Sequence, residues 1–539
     1  MKSYAYRSKS VSRCKQVGCV STPPSGGGRS FAAKSLPTLL LLAATAFFAI
    51  GLAAQTPSPK INSTPATIPA LLLSDIHLDP YNDPAKTAKL NAAPASDWPA
   101  ILAAPNSPTQ PAQSAALQQA CPVRGIDTPN ALWLSSLRAI HASAAAPAPP
   151  VQFVTVSGDL LAHAFDCKYK DLLPAATHTD YLAFTEKTIR YIVSSLRASL
   201  PGVPIYVALG NNDSGCTDYA LDATHDQFLA LTAKIVAEAL PVNLPQPDRD
   251  AVLRDFSAGG YYNVPLAALP HTRLIVLDDL YLSPTYVTCA GKPDPAPAAA
   301  QLAWLDAQLS AARSHNERVW VMGHIPPGVN VYATARKFTN ICAGGKPQMY
   351  LASEDLAAAI DAYADVVTLA IFGHSHSDEL RLLQSDSNPN PNPKPGPTDP
   401  AIPVKPGVPV KIVGSITPVN GNNPTFTLAS IDPATATLID YTVIMASNQT
   451  GIDTTWAKEY TYSTTYQEPA FNSAALTHLI AEFQADPTAQ SPLSQAYVNN
   501  YAPQSAVGQM LKLVWPQLTC SLNHDSAASL SACVCTAAK

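Results

Sequence analysis

The chain alternates short apolar runs with longer amphipathic stretches. The runs "PALLLS", "VQFVTVS", "PIYVAL", "RLIVLDD", "RVWVMG", "VVTLAIFG", "VKIVGS" and "TFTLASI" each end in polar or glycine residues. Continuous apolar runs of this length predict strands covered on both faces. Between them, "ALWLSSLRAIHASAA", "DYLAFTEKTIRYIVSSLRASL" and "AAAQLAWLDAQLSAARS" carry apolar residues at helical spacing. The alternation predicts an α/β domain over 70–445, and so many strands predict two packed sheets. Residues 383–408 are dense in Pro and Asn and predict a surface loop between two strands. After about residue 446 the strand pattern stops. There "SAALTHLIAEFQ" and "AVGQMLKLVWPQL" predict a small α-helical C-terminal region over 446–539.

Composition narrows the function classes. With 539 residues, 47% of them hydrophobic, a sizeable core is expected, and a net charge of -5 gives no basic footprint for a nucleic acid duplex. Lys2, Arg7, Lys9, Arg13, Lys15, Arg29 and Lys34 precede the run "LPTLLLLAATAFFAIGLAA", which ends in small residues at Ala53 and Ala54. That order predicts an export signal over 1–54, an uncleaved membrane anchor being the alternative. A Pro/Ser/Thr-rich linker over 55–69 follows. No later segment is apolar enough to span a bilayer, so a secreted or periplasmic protein is expected, with no stable membrane insertion after cleavage.

Of ten cysteines, eight follow the signal: Cys121, Cys167, Cys216, Cys289, Cys342, Cys520, Cys533 and Cys535. An even set in an exported chain predicts disulfides, and the spacing does not resemble a zinc ribbon. Cys533 and Cys535 read as a staple on the C-terminal tail. Cys167 and Cys216 follow two candidate site loops closely, which suggests a disulfide between them. Cys289 and Cys342 flank the "RVWVMG" strand and suggest a second.

Five segments at strand ends carry the chemistry: "SDIHLDP" (Asp75, His77), "SGDLLAH" (Asp159, His163), "GNND" (Asn211, Asn212), "MGHIPPG" (His324) and "FGHSHSDE" (His374, His376). Each alone is weak, since Gly-Asp after a strand is often only a turn and a lone histidine more often sits in the core. Five in one order, each past a strand, make coincidence a poor account. Loops beyond the carboxyl ends of strands converge in α/β folds. The mixed nitrogen and oxygen donors suit two divalent ions, zinc with manganese or iron as alternatives, rather than calcium. Asp159 has two carboxylate oxygens and suits a bridge. Two ions close together can generate hydroxide at neutral pH and clamp phosphoryl oxygens.

The order of these motifs resembles the calcineurin-like metallophosphoesterases and, more narrowly, the acid sphingomyelinase-like phosphodiesterases. The narrower likeness rests on "SDIHLDPYND", "GDLLAH", "AQLAWLDAQLSAARSHNERVWVMGHIPPG", "FGHSHSDEL" and "GSITPVNGNNPTF". It implies a two-sheet α/β/β/α sandwich. It also implies that Asp75, His77, Asp159 and His376 hold one ion, and that Asp159, Asn211, His324 and His374 hold the other. Asn212 departs from the family, which usually has histidine there, facing the phosphate as a proton donor. All seven implied ligands nevertheless remain, which argues against a disabled site, and His163 is the candidate substitute acid. Residues 55–69 leave no room for the saposin-like lipid-loading domain that precedes the phosphoesterase domain of acid sphingomyelinase.

The resulting expectation is an exported dinuclear-metal phosphoesterase acting on a small phosphodiester, whether a sphingomyelin-like, nucleotide or phosphocholine ester. An endopolyphosphatase, suggested by Asn212, and a non-catalytic metal-binding surface module are the alternatives. Asn420, Asn422 and Asn423 read as turn formers or pocket residues, and Tyr261 and Tyr262 as core.

Overall fold

Alternate side chains of the strands face two different cores, and this sets the layering. Trp320 and Met322 pack into the core between the sheets, with the Trp320 ring edge-on to Phe153 at 5.8 Å. Val319 and Val321 face the other way, onto Leu305 and Leu309 of the helix Ala296–Ser314. The computed structural model describes residues 67–223, 227–384 and 406–537.

Within these residues two six-stranded mixed sheets lie between helices. The first contains β1 (Ile68–Leu73), β2 (Phe153–Ser157), β3 (Ile205–Ala208), β10 (Thr425–Ile431), β11 (Leu438–Ala446) and β12 (Trp456–Thr461), in the order β12-β11-β10-β1-β2-β3. The second contains β4 (Tyr262–Pro265), β5 (Thr272–Val276), β6 (Arg318–Met322), β7 (Val367–Phe372), β8 (Glu379–Leu383) and β9 (Val408–Ile412), in the order β4-β5-β6-β7-β9-β8. β1, β2 and β3 run parallel, as do β5, β6, β7 and β9, so their carboxyl ends point the same way within each sheet. This is the expected two-sheet α/β sandwich, and each of the eight apolar runs forms a strand.

Local signals account for several boundaries. Thr177 and Asp180 form a reciprocal capping box at the start of helix His178–Ser199. The Tyr262 hydroxyl donates to the Val207 carbonyl at 3.1 Å and accepts from its amide at 3.0 Å. It thereby ties β4 of one sheet to β3 of the other, and the core reading of Tyr262 holds.

Three expectations need correction. The strand pattern does not end at 446: β12 adds antiparallel to β11, and its polar sequence "WAKEYT" hid it because one side is solvated. The "AVGQMLKLVWPQL" pattern is two helices, Ala506–Lys512 and Trp515–Ser521, because Pro516 lacks an amide hydrogen and serves only in a first turn. The disulfides are Cys121–Cys167, Cys216–Cys289, Cys342–Cys535 and Cys520–Cys533. Neither Cys167–Cys216 nor Cys289–Cys342 forms. Cys167 lies on helix Phe165–Leu172, which packs against helix Gln110–Ala120 and so meets Cys121. Cys216 meets Cys289 because Ala220 and Val287 bridge their two loops. Cys533 and Cys535 do tie down the tail. The expected signal over 1–54, the linker up to residue 66 and most of the Pro/Asn-rich loop lie outside the described residues.

Candidate metal centre

All seven ligand candidates follow strands. Asp75 and His77 come after β1, Asp159 after β2, Asn211 after β3, His324 after β6, and His374 and His376 after β7. Asp75, His77, Asp159, His374 and His376 all adopt positive φ, between 43° and 69°. Left-handed backbone is uncommon for residues other than glycine and collects at functional sites held by their surroundings. A glycine directly before Asp159, Asn211, His324 and His374 allows the approach. A Cβ on Gly158, itself at φ +87°, would lie 2.6 Å from the His324 ring, and one on Gly373 would lie 1.9 Å from Ser74 Oγ.

The loops bring the ligand atoms into two overlapping groups. Asp75, His77, Asp159 and His376 offer atoms within 4.8 Å of one another, and so do Asp159, His324 and His374. Asp159 Oδ2 lies 3.3 Å from His77 Nε2 and 3.1 Å from His324 Nε2, so one carboxylate serves both groups. His376 Nε2 is 3.2 Å from Asp75 Oδ1, and Asn211 Oδ1 is 3.2 Å from His324 Nε2. His77 Nδ1 donates to the Leu161 carbonyl and His324 Nδ1 to the Ser157 carbonyl, each at 2.8 Å. Both bonds fix the tautomer that leaves Nε2 as a ligand. The donor set therefore fits a pair of borderline-soft divalent ions.

The electrostatics are those of a buried, mutually polarised cluster. Burial would raise the Asp75 carboxyl, but the imidazole of His376 beside it holds it near 2. Burial likewise opposes ionisation of Asp159, yet His324 and His77 keep it well below the carboxylate range. Burial lowers His77 and His324, but the Asp159 charge outweighs it and draws them up to about 9 and about 10. Burial and the His324 charge press His374 down to about 3. Asp213, pushed up to about 7 by burial and by Asp159, accepts from the amides of Leu160, Leu161 and Gly210 and clips the β2 and β3 loops together.

His163 stacks on His77 with centroids 4.0 Å apart and planes 16° from parallel. Its Nδ1 donates to Asp127 Oδ1 at 2.7 Å, and its amide donates to Asp127 Oδ2 at 2.9 Å. Asp127 is in turn paired with buried Lys168 at 3.3 Å. Sequence reasoning missed both Asp127 and Lys168, since neither lies in a motif directly after an apolar strand. Asn212 donates to Asp159 through its side chain (2.7 Å) and its backbone (2.9 Å), while its own Oδ1 is buried without a hydrogen-bond partner. Of the three asparagines near β10, Asn420 lines a pocket with His374, whereas Asn422 is buried and bonded to Ser415 and Thr417. The amide of Asn423 donates to the Pro503 carbonyl.

A family model for calcineurin-like phosphoesterases matches residues 68–378. The cyclic GMP-AMP phosphodiesterase SMPDL3A of Rattus norvegicus is 29% identical over 280 residues, covering 49% of this chain and 54% of its own length. The acid sphingomyelinase-like phosphodiesterase 3b of Mus musculus is 26% identical over 424 residues, 77% of this chain and 79% of its own. The match thus spans about half the length of the rat protein. A solved dimetal phosphatase from Danio rerio aligns at 12% identity and TM-score 0.33 over 74% of this chain and 100% of that one, a likeness too low to carry an argument. The family match takes in more than half of the chain and every ligand candidate, and the chain belongs to the calcineurin-like phosphoesterase family.

Proposed function

We propose that the protein is an exported phosphodiesterase working with two divalent ions, most consistent with zinc. Asp75, His77, Asp159 and His376 would hold one, and Asp159, Asn211, His324 and His374 the other. The observation that carries this reading is the single Asp159 carboxylate facing both ligand groups. When bound, such a pair polarises the phosphoryl oxygens and makes water nucleophilic at neutral pH.

The remaining work falls to side chains of this protein. Asp127 only accepts, so the His163 Nδ1 bears hydrogen and Nε2 is left to carry a proton to the departing ester oxygen. Lys168 keeps Asp127 ionised and thereby keeps the ring oriented. Asn212 holds Asp159 by two donated hydrogen bonds. A histidine at 212 is therefore not needed, because His163, stacked on His77, covers the proton-donor role. Export is supported by the pairing of all eight cysteines that follow the signal.

The test is metal analysis of the secreted protein together with hydrolysis of bis-p-nitrophenyl phosphate, p-nitrophenyl phosphate, ATP, sphingomyelin and polyphosphate. Diester hydrolysis abolished by chelation is expected. Turnover confined to polyphosphate would assign an endopolyphosphatase, and bound metal with no turnover would assign a non-catalytic module.

A further inference from the structure

The pocket that opens beside His374 has a volume of ≈ 160 Å³, room for roughly five waters, and its walls include Tyr332, Tyr350 and Tyr501. Tyrosine-lined pockets next to a phosphoryl site have two opposite uses. Free aromatic faces hold a quaternary ammonium group by cation–π attraction, whereas aromatic rings that already carry guanidinium groups present positive charge.

The second arrangement is the one found. Arg124 lies over the Tyr332 ring at 5.1 Å and Arg336 lies over the same ring at 5.8 Å. Arg381 lies 5.3 Å from the Tyr350 ring, and that ring stands edge-on to His374 at 5.8 Å. The Tyr501 hydroxyl donates to Glu379, which is itself paired with Arg381. Two of the three tyrosines around the pocket, Tyr332 and Tyr350, thus already carry guanidinium groups on their rings.

Arg124 differs from Arg381 in one decisive way. Arg381 is buried and neutralised by Glu379 at 2.8 Å. Arg124 is exposed, and among the described residues no carboxylate pairs with it or with Arg336. Its Nη1 donates to the neutral Asn420 Oδ1 at 3.0 Å, and Asn420 is in turn held by Ser505 Oγ on its carbonyl. That contact fixes the guanidinium at the pocket wall and leaves further N–H donors for an oxyanion.

We infer that this pocket is a subsite for a second anionic group of the substrate, a phosphate carried on the same molecule as the scissile diester, with Arg124 as its principal ligand. The inference rests on the phosphodiesterase reading and decides within it: a nucleotide-like or other doubly phosphorylated substrate is favoured, and a phosphocholine ester is repelled. The net charge of -5 gave no hint of this, because the relevant positive charge comes from residues more than two hundred positions apart.

The experiment uses three p-nitrophenyl phosphodiesters with one leaving group and an ethyl, 2-trimethylammonioethyl or 2-phosphoethyl second arm. The kcat/KM for the phosphoethyl ester should exceed that for the ethyl ester roughly ten- to hundredfold, as a charge-assisted contact allows, and the ammonium ester should fall below both. Arg124→Gln should bring the phosphoethyl-to-ethyl ratio toward unity, and Arg124→Lys should keep part of it. Hydrolysis of the ethyl ester with no preference for the phosphoethyl arm, or a preference unchanged in Arg124→Gln, overturns the subsite and leaves the phosphodiesterase reading standing. Hydrolysis of none of the three overturns both.

Discussion

His163 and Asp127 make a pair whose parts have separable tests. General acid assistance is worth ~10²–10⁴-fold, so His163→Ala should cut turnover on that scale while metal content stays unchanged. The loss should be smaller for p-nitrophenyl esters, whose leaving group needs little protonation, than for alkyl esters. Equal losses would leave His163 as a phosphate-orienting residue. Asn212→His should be tolerated and should partly rescue His163→Ala. Asp127 is buried, which alone would raise its carboxyl, but Lys168 and His163 hold it well below the usual range. A depressed folded value means its stabilising effect is complete above the unfolded value near 4 and fades only as pH falls further. The stability deficit of Asp127→Asn should therefore shrink as pH falls below about 4, as thermal melts across pH would show. The ligands were legible in the sequence because each sits in a short motif directly after an apolar strand. Asp127 and Lys168 were not, because their roles exist only once two distant loops meet His163.

The elements deliver the ligands through strand ends that have no spare room. Gly373 directly follows β7, and a Cβ there would meet Ser74 Oγ at 1.9 Å and Asp75 Oδ2 at 2.7 Å. Gly373→Ala should lower stability by on the order of 1–3 kcal/mol and weaken metal retention, measured by melting and by metal content of the same sample. A variant with full metal and an unchanged melt would show that the β1 and β7 loops are not clamped as described. The apolar periodicity gave the eight strands covered on both faces, but not β4, β8, β11 and β12. β11 mixes buried and half-exposed residues, and β12 has a single buried residue, so neither carries a continuous apolar run.

Across the whole molecule, the covalent map and the metal centre depend on contacts that no local pattern encodes. Cys342 and Cys535 are 193 positions apart, and their bridge ties the turn at Ile341–Ala343 to the last helix, Ala527–Ala537. The evenness of the cysteine set was legible, while the partners required the fold. Protein from its native host should begin near residue 55 and show no free thiol among the eight cysteines, and mass spectrometry finding most of them reduced would contradict export. The proposed site stands or falls with Asp159 serving both ions. Elemental analysis of purified protein tests it most directly, comparing wild type, Asp159→Ala and His324→Ala. About two ions per chain are expected in wild type, about one in His324→Ala and close to none in Asp159→Ala. Full metal content in Asp159→Ala would contradict it.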